Sequence, residues 1–330
     1  MKIWKKIVCV ALALALSLSL FACGGGKSKV TLNVLNWGDY IDPQLLRQFE
    51  DETGIAVKYT TMTSNEEMLV KLASADNIYD VCFPSDYLIE KLVADDLLHP
   101  INKANIPNLS NIDSRFLNLS FDPDNTYSVP YMWGTVGILY NKTMVSDPVD
   151  SWNILWDAKY AGQILMYDSM RDTIGITLKK LGYDINTRNE ADILAAQEAL
   201  IEQKPLVRAY LTDDIKMELI NGSAAMGVVY SGDAVYCISE NADLAYAVPK
   251  EGSNVWFDNI IIPKTSKHTA EAEQFINFLC DAKVAAQNSD YIGFSTPNAE
   301  ALKLMDPSYA ADPTYNPPQD VLDRCQIFQD

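Results

Sequence analysis

The spacing of apolar residues switches repeatedly between a period of two and a helical period once residue 29 is passed. Residues 30–35 read as a strand with Leu32 and Val34 on one face, ending at Asn36-Trp37-Gly38-Asp39-Tyr40. Asp42 then caps a helix with Pro43 at its first position, Leu45, Leu46 and Phe49 inward, and Gly54 as its stop. Residues 55–59 alternate as a second strand. Ser64-Asn65-Glu66-Glu67 is a capping box opening a helix with Met68, Leu69 and Leu72 inward. Residues 79–83 form a short buried strand ending at Pro84-Ser85-Asp86-Tyr87, and a helix follows through Leu92. Residues 100–126 lack a period and read as a long loop or a set of turns. Residues 127–140 form one extended segment, long enough to leave one lobe and enter another.

The second half repeats this alternation. Ser151 caps a short helix holding Trp152, Leu155 and Trp156. Strands are predicted at 163–167, 224–230, 244–248 and 256–262. Helices are predicted at 174–181, 191–201, 216–220, 268–280 and, in the tail, 319–328. Strand–helix alternation of this kind implies an α/β fold. The predicted strand ends share a chemistry. Trp37 to Tyr40, Ser85 to Tyr87, Asp168 to Asp172, Tyr230 to Asp233 and Trp256 to Asp258 all carry acids, aromatics or hydroxyls. In open α/β sheets, ligands sit outside the carboxyl ends of strands. Trp256 and Asp258 are two apart in a strand and so face one side together. By itself that pair reads as a Trp covering the core beside a solvated Asp. Five such ends facing one another instead make an aromatic, acidic cleft.

The N-terminus adds an address. Lys2, Lys5 and Lys6 precede an apolar run from Ile7 to Phe21, then Ala22-Cys23 and three glycines. This is a secretory signal over 1–22, too short to span a bilayer. Leu20-Phe21-Ala22-Cys23 resembles the bacterial lipoprotein box, which makes Cys23 the lipidation candidate and 23–28 a flexible tether. Removing residues 1–22 takes away three lysines and no acids, which moves the formal charge from −18 to −21. Such a surface repels nucleic acid and attracts cations. Cys82, Cys237, Cys280 and Cys325 remain besides Cys23, in apolar contexts and without a close C-x-x-C pair, so no zinc motif is supported. His99 and His268 lie in no nucleophile or metal motif, and no Gly-rich phosphate loop occurs. No residue is assigned a catalytic or metal-binding role, and no cofactor is expected.

The order and spacing of several segments are specific. These are Asn36-Trp37-Gly38-Asp39-Tyr40-Ile41, Thr53-Gly54-Ile55, Tyr79-Asp80-Val81, Pro84-Ser85, Tyr127 to Gly134, Trp256-Phe257-Asp258 and Ile292 to Asn298. Through them the chain resembles the spermidine/putrescine-binding proteins of bacterial polyamine ABC importers, from about Leu35 to Asn298. The resemblance implies a two-lobed periplasmic-binding-protein (Venus-flytrap) fold with hinge crossings. It places lobe 1 at 29–132 plus 258–304 and lobe 2 at 133–257 plus 305–330. It implies a polyamine ligand, an ABC permease as partner and a monomer; a lipid anchor to the membrane is expected from the box at Cys23.

The resemblance also assigns the cleft. Trp37, Asp39 and Tyr40 stand where the first lobe's aromatic wall and acid stand. Ser85 matches a lining hydroxyl and Tyr87 an aromatic. Asp172 stands where Glu is usual, Tyr230 where Trp is usual, and Phe294 where Tyr is usual. Asp233 matches an acid of putrescine-type members, and Ser169 stands where spermidine-type members can carry another acid. Trp256 and Asp258 match the clamp over the polyamine chain. The chemistry is consistent with this. Ammonium groups are held by carboxylates through charge-assisted hydrogen bonds, methylenes want apolar cover, and aromatic faces add cation–π attraction. Asp86 and Asp168 read as helix caps, and Arg171 as the partner of a neighbouring acid. A binder of another cationic solute, a polyamine sensor and a carboxylate-based hydrolase are the rival functions.

Overall fold

A single strand, Ser128–Asn141, runs through the middle of the molecule and is buried at nearly every position. Fourteen residues at about 3.3 Å each carry it roughly 45 Å. The computed structural model describes residues 30–330. The signal at 1–22, Cys23 and the tether at 23–28 lie outside the described residues.

Ahead of this strand come β1 (Thr31–Asn36), α1 (Pro43–Thr53), β2 (Ala56–Thr61), α2 (Asn65–Ala73), β3 (Val81–Cys82) and α3 (Asp86–Ala94). The long strand itself is β4. After it come β5 (Ile164–Tyr167), α4 (Met170–Lys180), α5 (Glu190–Gln203), β6 (Val207–Leu211), α6 (Ile215–Ile220), β7 (Met226–Tyr230), α7 (Ser231–Glu240), β8 (Leu244–Ala247) and β9 (Val255–Ile261). The chain closes with α8 (Thr269–Leu279), α9 (Ala282–Ile292), α10 (Ala299–Leu302), α11 (Pro307–Ala311) and α12 (Gln319–Leu322). The strand order is β2-β1-β3-β9-β4-β7-β5-β6, with β8 also paired to β4.

The two halves of β4 serve different strand groups. Its first half pairs antiparallel with β9, from Ser128↔Ile261 to Thr135↔Val255, with a register shift between Pro130 and Met132. A proline cannot donate to the ladder, which suits a bulge. Its second half pairs with β7 from Val136↔Tyr230 and with β8 from Ile138↔Ala247. Parallel β2-β1-β3 thus lies on one side and parallel β6-β5-β7 on the other. The expected extended segment at 127–140 therefore does cross between two α/β units.

Local signals explain most elements. Asp42 Oδ1 accepts the Gln44 amide at 2.8 Å, Pro43 opens α1, and Gly54 closes it at φ 74°. Leu45 and Phe49 of α1 are buried, and Phe49 packs edge-on against Phe275 of α8 at 4.9 Å. Burying such a side chain contributes about 1.5–3 kcal/mol. Ser64 Oγ accepts the Glu67 amide, and Glu67 Oε2 reaches back to the Thr63 amide at 2.9 Å, one residue before the Ser64 amide of a standard box.

Several elements differ from expectation, among them the short helices α10 and α11, which the sequence reading lacks. The tail helix predicted over 319–328 stops at Leu322, and the following residues extend to pair beside β9 through Asn254↔Gln326. β6, α7 and α9 carry no clear apolar period. β6 is an edge strand, half-buried at alternate positions. The buried face of α9 includes Asn288 and Ser289, which read as polar in the sequence. Those two are buried because they have partners: Asn288 bonds the Asp42 amide and the Tyr131 hydroxyl, and Ser289 bonds Tyr315. The tail is also divided. Tyr309 and Tyr315 bond Asp290 and Ser289 of α9, whereas Gln326 and Gln329 bond Ser253 and Asn186.

Gly134, where β4 changes partners, has no room for a side chain. A Cβ there would lie 2.5 Å from Ser231 Oγ and 2.7 Å from the Trp256 ring. Gly134→Ala is expected to destabilise the protein by about 1–3 kcal/mol. Denaturant unfolding checks this, and an unchanged midpoint would overturn it.

Candidate functional site

The carboxyl ends of β1, β3, β5 and β7, together with the middle of β9, open onto one cleft of about 420 Å³. Trp37, Asp39 and Tyr40 come from the turn after β1. Ser85 and Tyr87 lie at the start of α3. Asp172 and Asp233 sit in the first turns of α4 and α7, and Tyr230 ends β7. Trp256 and Asp258 face the cleft from within β9 rather than from its end, and Phe294 follows α9. All eleven residues singled out in the sequence line this cleft.

The aromatics form a continuous wall. Tyr40 packs edge-on against Phe294 at 5.3 Å, Phe294 against Trp256 at 5.6 Å, Trp256 against Tyr230 at 5.8 Å, and Tyr230 against Tyr167 at 4.8 Å. Each such pair contributes about 0.5–1.5 kcal/mol beyond its buried area. Trp37 is fixed at one edge by its indole N–H, which donates to Phe83 O at 2.9 Å. Gly232 lets α7 approach the Phe294 ring, since a Cβ at that position would overlap it.

Two groups of carboxylates face the cleft. In the first, the Tyr40 hydroxyl donates to Asp258 Oδ2 at 2.7 Å. Asp172 Oδ2 accepts from the Tyr230 and Ser169 hydroxyls, each at 2.7 Å, and Asn254 Nδ2 lies 3.4 Å from its other oxygen. Burial pushes the Asp258 carboxyl up to about 6, the Ser85 and Tyr40 hydroxyls oppose this, and the Asp172 charge adds to it. Burial also raises Asp172, against the pull of its hydrogen bonds. Asn254 Oδ1, Trp256 Nε1 and Asp258 Oδ1 are buried without a partner among the described residues. Leaving such an atom unpaired costs about 1–3 kcal/mol.

The second group surrounds a cation. Lys216 Nζ, from α6, lies 3.6 Å from Asp233 Oδ1 and 3.8 Å from Asp39 Oδ2. Burial pushes Asp233 up to about 6, Lys216 opposes this, and Asp213 and Asp39 reinforce it. The Asp39 side chain is 85% exposed and stands at the rim.

Several readings change. Asp86 and Asp168 are not caps; those positions belong to Ser85 and Ser169. Asp86 instead ties α3 to β9, accepting the Phe257 amide at 3.0 Å. Burial raises its carboxyl well above the usual range. Ser169 is engaged as the cap of α4, accepting the Asp172 amide at 3.3 Å. Arg171 pairs with no acid among the described residues; its guanidinium lies 3.8 Å over the Tyr87 ring and donates to Gln329 O at 2.7 Å. Among the described residues, Cys82, Cys237, Cys280 and Cys325 form no disulfide. Lys216, Asp213, Tyr167, Asn254 and Phe328 also line the cleft and were not singled out. Asp213 follows β6, so the strand-end rule would have found it had β6 been legible.

Two α/β units, joined through β4 and β9 and meeting at a cleft lined by strand ends, define a two-lobed solute-binding protein. The chain belongs to the family of bacterial extracellular solute-binding proteins, whose model matches residues 44–317. It is 39% identical over 290 residues to the spermidine/putrescine-binding periplasmic protein of Escherichia coli strain K12, covering 87% of this chain and 83% of that one. It superposes with TM-score 0.80 on the spermidine/putrescine ABC transporter substrate-binding protein of Streptococcus pneumoniae, at 40% identity, covering 91% and 93% of the two chains. A lipoprotein of Treponema pallidum matches with TM-score 0.82 at 27% identity, covering 91% and 94%. The family binds solutes and is not one of enzymes. Among the described residues, no helix is long and apolar enough to cross a membrane.

Asp258 couples the site to stability. A carboxyl whose folded pKa is raised favours the protonated folded state. Its contribution is complete below the unfolded value near 4 and is lost as pH rises through about 6. Asp258→Asn is therefore expected to make the ligand-free protein relatively more stable at pH 7 than at pH 4, by about 2–3 kcal/mol against wild type. Denaturant unfolding across pH 4–7 measures this; a difference independent of pH would contradict it.

Proposed function

We propose that the protein captures a polyamine, putrescine or spermidine, in this cleft and delivers it to an ABC import permease. The observation that carries the reading is the buried Asp258 carboxylate. It has one oxygen without a hydrogen-bond partner among the described residues, feels the charge of Asp172, and is enclosed by aromatic rings. An alkylammonium supplies the missing donor and charge, and its methylenes lie on Trp37, Tyr40, Tyr230, Trp256 and Phe294. Ser85, Tyr87, Asp39 and Asp233 complete the lining. Eight acidic side chains against Arg171 and Lys216 give the cleft the sign a polyamine needs. The Escherichia coli and Streptococcus relatives, both named for spermidine and putrescine, support the same ligand class.

The hinge, on this reading, is β4 near Gly134 together with β9, and the lobes are 29–132 plus 258–304 and 133–257 plus the end of the tail. The contacts of Tyr309 and Tyr315 with α9 favour moving the tail boundary past residue 315. Cys23 is the proposed lipid anchor on the outer face of the cell membrane, and a monomer is the proposed state. The lipoprotein nature of the Treponema relative supports the anchor.

Titration calorimetry with putrescine, cadaverine, spermidine and spermine tests the ligand. Tight binding of at least one is expected, weakened about a hundredfold or more by Asp258→Asn, because a buried charge loses its partner. Folded, ligand-free protein that gives no heat with any of the four would overturn the proposal. Closure is tested by solution scattering. The radius of gyration is expected to fall at saturating ligand, and identical curves would exclude a hinge motion.

A further inference from the structure

We propose that Lys216 is a built-in ammonium that occupies one cation position of the cleft and thereby selects diamines over triamines. The inference rests on the polyamine reading and adds the selector to it. Lys216 is partly buried in the lining, with its side chain 17% exposed, and its Nζ stands between Asp233 and Asp39. These acids come from two different strand ends, β7 and β1, so the ammonium sits across the cleft rather than along one helix. Asp213, in the turn before α6, adds a third negative charge acting on the same Nζ.

The two carboxylate groups are thus in different states. Asp172 and Asp258 act on each other and have no basic partner within ion-pairing distance among the described residues. Asp233 is already partnered by Lys216. The other cation of the lining, Arg171, is committed to the Tyr87 ring and to Gln329 O. Burying charge is tolerable only when it is matched. Two ligand ammoniums match Asp172 and Asp258. A third would approach Asp233 and Asp39 against the positive charge of Lys216. Like-charge juxtaposition of this kind is how a site rejects a near relative of its ligand. Asp233 then serves through Lys216, by setting where that ammonium stands. Lys216→Met keeps the aliphatic stem and removes the charge, which opens Asp233 and Asp39 to the third ammonium.

The test is calorimetry with putrescine and spermidine on the full chain, its Lys216→Met variant and its Lys216→Arg variant. Wild type is expected to bind putrescine more tightly. Lys216→Met is expected to raise the spermidine-to-putrescine affinity ratio tenfold or more, and Lys216→Arg, which retains the charge, to leave it within about threefold. A merely structural lysine would lower both affinities together and leave the ratio unchanged, which overturns the inference. Wild-type preference for spermidine overturns it without any variant, so a misfolded Lys216→Met does not block the test. Wild-type protein that binds neither amine overturns the polyamine reading itself, and the selector with it.

Discussion

The dominant constraint on this molecule is a carboxylate held out of water. Asp258 is 6% exposed in the middle of a core strand, with one oxygen on the Tyr40 hydroxyl and the other unpaired among the described residues. Removing a charge from water without a full set of partners is unfavourable, so the surroundings must compensate or the group must bind a proton. Much of the cleft is arranged around that problem. Tyr40 is itself locked between Tyr131 and Phe294, Asp86 staples α3 to β9 one residue away, and the Ser85 and Asp258 backbones pair in an isolated antiparallel β-bridge.

The fold makes this burial possible by drawing the cleft from both lobes. β4 and β9 belong to the same antiparallel ladder over Ser128–Thr135, after which β4 continues alone into the second group of strands. Where β4 changes partners, Gly134 accepts the Trp256 ring against the backbone. Gly232 does the same for Phe294. The aromatic wall is therefore packed onto backbone, which holds its rings in place while strand ends from both sides present the acids.

The cleft treats its acids in two ways. Asp172 and Asp258 have no basic partner within ion-pairing distance among the described residues, and this costs stability in the ligand-free protein. Asp233 and Asp39 are answered internally by Lys216. A site that must exchange a cationic cargo benefits from this division, because unsatisfied carboxylates gain a partner when the cation binds. A fully paired cleft would be more stable and would hold a cation weakly, and a fully unpaired one would be destabilised.

How much of this was written locally can be read from particular residues. Asp42, Pro43 and Gly54 fix α1 within a few positions, and Ser64 with Glu67 fixes the start of α2, because caps act over one turn of chain. The ends of β1, β3, β5 and β7 were legible because an apolar run stops there at turn and polar residues, whereas Phe294 was reached only through the family resemblance, and Lys216 and Asp213 by neither route. β6, α7 and α9 were not legible, because their buried faces are half-covered or polar and acquire partners only from distant elements, as Asn288 does from Tyr131. Asp86 and Lys216 show the same limit at the site. A sequence states that an acid or a lysine is present, and its neighbours suggest a cap or a helix face. Whether Asp86 reaches across to β9, or Lys216 into the cleft, depends on segments 171 and 17 residues away meeting in space. The sequence by itself determined which chemistries the cleft would contain. Only the tertiary structure decided which charges are answered and which are left open, because charge compensation is a property of distance and burial rather than of order along the chain.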